Sequence, residues 1–180
     1  MSWSLCYSTP RAPLPETLKY LSRVGRALHL ATLFEDKCQY LLRLALISER
    51  GRLFVGEEAE RELEALLKKH RTLERAITKF VTVAQERDGE LLHKARESRN
   101  WIAHESARLS ISGSRMTEIA SQTMELRENV ECLIAGDIIV SEYCEMLEVG
   151  VNHWVHDRQR ALRYANEAIA WVLDGAIPKA

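Results

Sequence analysis

The chain is poor in residues that break helices. It holds 8 Gly and 4 Pro in 180 positions, and Pro10, Pro13 and Pro15 all fall in the first fifteen. Past that point long uninterrupted helices are expected, and no segment alternates convincingly enough to be a strand. Cysteine is scarce. Cys6, Cys38, Cys132 and Cys144 form no C-x-x-C pair, which excludes a dense disulfide scaffold and points to a reducing cytoplasm. The last three sit in helical patterns at positions that read as buried, where Cys behaves as a small apolar residue. An excess of one charge is missing too. With 25 basic against 26 acidic residues the net charge is −1, too balanced for broad nonspecific coating of nucleic acid, though not for a local cleft. The most apolar window, Leu133 to Val140, is interrupted by Asp137 and is too short to span a bilayer. The N-terminus lacks the apolar core of a signal peptide. No phosphate-cradling glycine loop and no nucleophile elbow occur.

What is present fits one helical domain over residues 1–180: 46% hydrophobic and 28% charged residues, enough for a real core. Residues 1–15 read as an irregular arm, with Thr17 as a weak N-cap because Tyr20 stands where an acid is usual. From Leu18 to about Ser48, Leu21, Val24, Leu28, Ala31, Glu35, Cys38, Leu42 and Ala45 recur at helical spacing. Leu30, Phe34, Leu41, Leu44 and Ile47 add a second stripe, so this helix is central. Gly25 suits a bend or a close crossing. A second helix runs from Glu57 to about Arg87, with His70 the polar member of its stripe, until Asp88-Gly89 breaks the pattern. Its basic run, Lys68, Lys69, Arg71, Arg75 and Lys79, is interrupted by Glu74 and can guide a phosphate backbone or simply be solvated. After the helix containing residues 90–106, a Ser-rich loop to residue 115 precedes a heptad-like helix from Met116 to about Val149, ended by Gly150. Asn152 caps a last helix to Asp174, and residues 175–180 should fray. The expected fold is all-α: a four-helix-type core with one added C-terminal helix.

The stretch around which the chain is organised is Glu90 to Ser106, ELLHKARESRNWIAHES. Leu91, Ala95 and Ile102 are expected on its buried face. Asn100 and His104 are four apart and stack on one side; Arg99 and His104 are five apart, about 140° around the axis, yet the long arginine stem lets both border one groove. His exchanges a proton near neutral pH. Arg offers a planar fork that fits a phosphate. Asn adds a neutral donor and acceptor. Such a set can cleave an RNA backbone without a metal or other cofactor.

The string Arg99-Asn100-x-x-x-His104 on a helix, preceded by Lys94-Ala95-Arg96-Glu97-Ser98 and followed by Glu105, resembles the signature of HEPN domains. That resemblance implies an up-and-down four-helix-type bundle and a metal-independent endoribonuclease acting on single-stranded RNA, as a toxin or anti-phage effector. It implies a homodimer whose two motif copies line one cleft, and an antitoxin or regulatory protein as partner. It casts Arg99, Asn100 and His104 as catalytic. Arg96 and Glu35 are supporting candidates: a carboxylate inside an apolar stripe needs a partner, and Glu35 can orient His104, pair with Arg99, or sit at a surface boundary.

Plainer alternatives exist. Arg96, Asn100 and His104, at successive i+4 spacing, can be an ordinary solvated stripe, and Trp101 fits core or dimer packing better than base stacking. HEPN relatives without nuclease activity also exist, so a non-catalytic module binding nucleotide, RNA or protein is the second reading. His153 and His156 near Cys144 lack the further ligands of a metal site.

Overall fold

The computed structural model describes residues 15–50, 56–70, 72–81, 86–106, 116–150 and 158–176. The arm up to residue 14, the Ser-rich segment 107–115, Cys6, Arg71, His153, Trp154, His156 and the tail from residue 177 lie outside the described residues. Every described element is an α-helix, and among the described residues there is no strand. The order is α1 (Pro15–Arg50), α2 (Glu57–Lys69), α3 (Leu73–Val81), α4 (Glu86–His104), α5 (Met116–Val149) and α6 (Arg158–Asp174).

The long helices α1 and α5 form the spine. They pack against each other, α4 lies against both, α3 closes over α1 and α4, and α6 covers the α1 and α5 side. Tyr20, Phe34, Leu41, Leu92, Ile102, Leu126, Val130, Leu133, Ile134, Val140 and Val172 are fully buried members of one core spanning these helices. Each large aliphatic side chain so buried contributes about 1.5–3 kcal/mol of transfer free energy. A smaller cluster, Leu42, Leu46, Leu63 and Ala76, joins α2 and α3 to the far end of α1.

Several boundaries differ from the expectation. Pro15 is the first residue of α1, a position where its missing N–H costs nothing, so Thr17 is buried within the first turn and is not the cap. The expected second helix is two helices. The His70 N–H still bonds back to the Leu66 and Leu67 carbonyls at 3.2 Å, but the chain then turns. Thr72 restarts it, its Oγ1 accepting from Arg75 N at 3.4 Å and its carbonyl from Ala76 N at 3.0 Å. Asp88-Gly89 does not break the chain: both lie in the first turn of α4, where a carboxylate favours the helix dipole, and Asp88 also accepts from the Tyr143 hydroxyl at 2.9 Å. The count is therefore six described helices, not five.

The glycine at a tight helix crossing is also a different one. Gly25 has open space around it, whereas a Cβ on Gly136 would collide with the Ala95 Cβ and come within 3.3 Å of the Phe34 ring. Gly136 lets α5 sit directly on α4. Gly150, with φ 75°, closes α5 and Gly175, with φ 73°, closes α6, their N–H groups bonding to the Met146 and Trp171 carbonyls at 3.0 Å. Two α1 arginines bind the carbonyls that end α6: Arg23 to Leu173 at 2.7 Å and Arg26 to Val172 at 2.9 Å.

Candidate functional site

Helix α4 buries Gly89, Leu92, Ala95, Ser98 and Ile102. Leu92, not Leu91, is the core member; Leu91 is half-buried at the edge. This buried row sets which side chains reach the surface. Arg96 and Arg99 emerge half-buried beside α1 and α3, Asn100 and His104 are exposed, and Trp101 is half-buried against the main core.

Arg99 and Asn100 open into a cleft of about 420 Å³ whose other lining residues are Glu35, Thr72, Leu73, Glu74 and Arg96. Two ion pairs cross it. The Arg99 guanidinium donates to the Glu35 carboxylate of α1 and, more weakly, to Asn100 Oδ1 at 3.3 Å. Arg96 Nη1 lies 3.2 Å from Glu74 Oε1 of α3. Glu35, Arg96, Arg99 and Asn100 are thus brought together, and Glu35 contacts Arg99 and not His104. His104 stands one turn further along α4, exposed and not among the residues lining the cleft.

The C-terminal end of α4, which carries His104, is fixed by a buried hydroxyl. Tyr20 of α1 donates to the Ser106 carbonyl at 2.8 Å, and Ser106 Oγ donates to the Ile102 carbonyl at 2.5 Å. The N–H groups of Glu105 and Ser106 both return to the Trp101 carbonyl. Burial, followed by the charge of Glu125, pushes the Tyr20 phenol up to about 12. Sequence reasoning missed this role for Tyr20, and its only sign was an aromatic residue where a capping acid was expected.

A second polar cluster ties α5 to its neighbours. Asp137, 1% exposed, accepts from Lys37 Nζ at 2.8 Å and from the Tyr164 hydroxyl, while its Oδ1 is buried without a partner. Burial first, and then Asp137, push the Tyr164 phenol well up. The polar residue interrupting the α5 heptads therefore fixes α1 and α6, not the motif helix. Of the described cysteines Cys38 is buried and Cys144 half-buried, but Cys132 is exposed, contrary to its expected place in the core. The reason is the α5 pattern: Leu126, Val130, Leu133, Val140 and Asp137 fill the inner row and leave residue 132 outside.

Among the described residues no three His, Cys, Asp or Glu side chains come together as a metal-binding group. Of the basic run, Lys68, Lys69 and Arg75 are exposed, and no described helix is long and apolar enough to cross a membrane. Compared with protein-family models, curated proteins and solved structures, the chain matches none of them.

Proposed function

We propose that the chain is a metal-independent endoribonuclease of the HEPN type, a four-helix-type bundle with α6 added, which cleaves single-stranded RNA in the cytoplasm as a toxin or defence effector. The observation that carries this reading is the surface of α4: consecutive turns offer Arg99 and Asn100 to an open cleft and His104 to solvent. In the reaction His104 removes the proton from a ribose 2′-hydroxyl. The 2′-oxygen bonds to phosphorus, the bond to the 5′-oxygen breaks, and that oxygen leaves with a proton returned by the imidazolium or by water. The products are a 2′,3′-cyclic phosphate and a 5′-hydroxyl. Arg99 holds the phosphate and balances the charge that builds on its oxygens; Asn100 positions it. Because one protomer's cleft does not include His104, a homodimer in which the two α4 surfaces face each other is part of the proposal, and an antitoxin or regulatory protein would cover the same surface.

The test is incubation of purified protein with single-stranded RNA in EDTA. Cleavage that His104→Ala reduces by about 10²–10⁴, and that Arg99→Ala also removes, supports the assignment. Equal cleavage by wild type and both variants overturns it.

The second reading is a non-catalytic helical module that binds nucleotide, RNA or protein. It is favoured by the occupation of Arg99 by Glu35 and by the position of His104 outside the cleft. Binding of RNA with no cut product selects it.

A further inference from the structure

Arg96 and Arg99 are three positions apart on α4 and so share a face. Both reach the same cleft, and each is paired with a carboxylate from a different helix. The two pairs are not alike. Arg99 and Glu35 are both about three-quarters shielded from water, with 25% and 30% of their side chains exposed. Arg96 is as shielded, at 23%, but its partner Glu74 is 70% exposed. A carboxylate so wet holds its partner weakly. The Arg96 Nε is buried without an acceptor, so an incoming anion meets this guanidinium at its outer end, where Nη1 pairs with the exposed Glu74.

Along α4 the polar groups succeed one another at one per turn: Arg96, then Arg99 with Asn100, then His104. Arg96 and Arg99, three residues apart, are separated by about 4.5 Å along the axis, and their long stems can splay to meet neighbouring phosphates. Thr72 and Leu73, which open α3, stand on the cleft's other wall beside Glu74, so the space over Arg96 is bounded and not a flat surface.

We infer that Arg96 holds the backbone phosphate next to the one held by Arg99, so that single-stranded RNA runs along the axis of α4, and that Glu74 is the carboxylate this second phosphate displaces. The inference rests on the RNA reading of the site above, but it concerns binding and not the chemical step. Arg96 extends recognition to a second phosphate, and the Arg96–Glu74 pair keeps the cleft charge-balanced until a strand arrives.

The test measures binding of a fluorescent 2′-O-methyl oligouridylate, which has no free 2′-hydroxyl and cannot be cut, as a function of salt. Each phosphate contact on a single strand contributes about 0.7 to the slope of log K against log salt. Arg96→Gln lowers the slope by about that amount, and Arg96→Lys restores it. Glu74→Gln tightens binding several-fold, a gain that misfolding cannot imitate. An unchanged slope in Arg96→Gln, no tightening in Glu74→Gln, or no binding by wild type overturns the inference. Unmodified oligouridylate is assayed alongside. If the binding results hold but this strand is not cut, the nuclease reading fails and the Arg96 site stands. If it is cut and Arg96 has no effect on binding, the Arg96 site alone fails.

Discussion

Arg99 of α4 and Glu35 of α1, sixty-four positions apart in sequence, form an ion pair across the mouth of the cleft. The carboxylate inside the apolar stripe of α1 is thereby partnered: Glu35 holds the Arg99 guanidinium and not His104. Under the proposed function, a phosphate entering the cleft would compete with Glu35 for Arg99.

Glu35→Gln is therefore expected to tighten RNA binding several-fold by removing the competing charge. It should cost little in stability, about 1 kcal/mol or less for a pair still partly in water. Binding titrations beside thermal melts check this. Weaker binding would mean that the pair's orienting role outweighs its competition.

The two glycines of the spine should respond in opposite senses to the same substitution. Gly136→Ala forces a methyl into Ala95 and the Phe34 ring and should destabilise by about 1–3 kcal/mol. Gly25→Ala, in a helix with open space around it, should stabilise by about 0.5–1 kcal/mol. Melting temperatures moving in opposite directions confirm the α4–α5 contact, at about 2–4 °C per kcal/mol for a chain of this size.

Much of the architecture was legible because α1 and α5 carry apolar residues at three-and-four spacing, interrupted in each by one carboxylate, Glu35 and Asp137; the expected bounds of α5, Met116 and Val149, are the observed ones. The break between α2 and α3 was hidden because Leu63, Leu66, His70, Leu73 and Ile77 keep helical spacing straight through it, and only Thr72 marked the restart. Gly89 misled in the other direction: glycine commonly ends helices, but a buried helical turn accepts it. Gly136 went unread because nothing local distinguishes a glycine in a tight crossing from any other. In the site, spacing placed Arg99 and Asn100 on adjoining positions, but pairing partners from α1 and α3 depend on tertiary packing. Glu74 looked like an interruption of a basic run and is the partner of Arg96.

Alkaline unfolding offers a check on the buried hydroxyls. Burial raises the Tyr20 phenol from its ordinary 10 to about 12 in the fold, and raises that of Tyr164 as well. A raised phenol contributes stability that is whole below pH 10 and is lost as pH climbs through 12, because only the unfolded chain releases those protons in that window. Helix signal and tyrosinate absorbance followed together should show these two residues ionising only as the helices melt. Tyr20→Phe should flatten part of that decline, while costing about 1–3 kcal/mol near neutral pH by leaving the buried Ser106 carbonyl without its donor. Ionisation of every tyrosine before any loss of helix would contradict it.

Thiol labelling separates the three described cysteines. Burial pushes the Cys38 thiol well up and takes that of Cys144 to about 11, and only the thiolate reacts. Among these three, Cys132 should be labelled first by a maleimide under native conditions and Cys38 last, as read by peptide mapping. Early labelling of Cys38 would show that the α1–α5 core opens readily.

Action of His104 and Arg99 on a single-stranded phosphodiester through its 2′-hydroxyl can be read on a DNA strand containing one ribonucleotide, incubated in EDTA. One cut is expected, on the 3′ side of that ribose, leaving a cyclic phosphate, and it should be lost in His104→Ala. Cuts at deoxyribose positions, or an undiminished cut by His104→Ala, would contradict it.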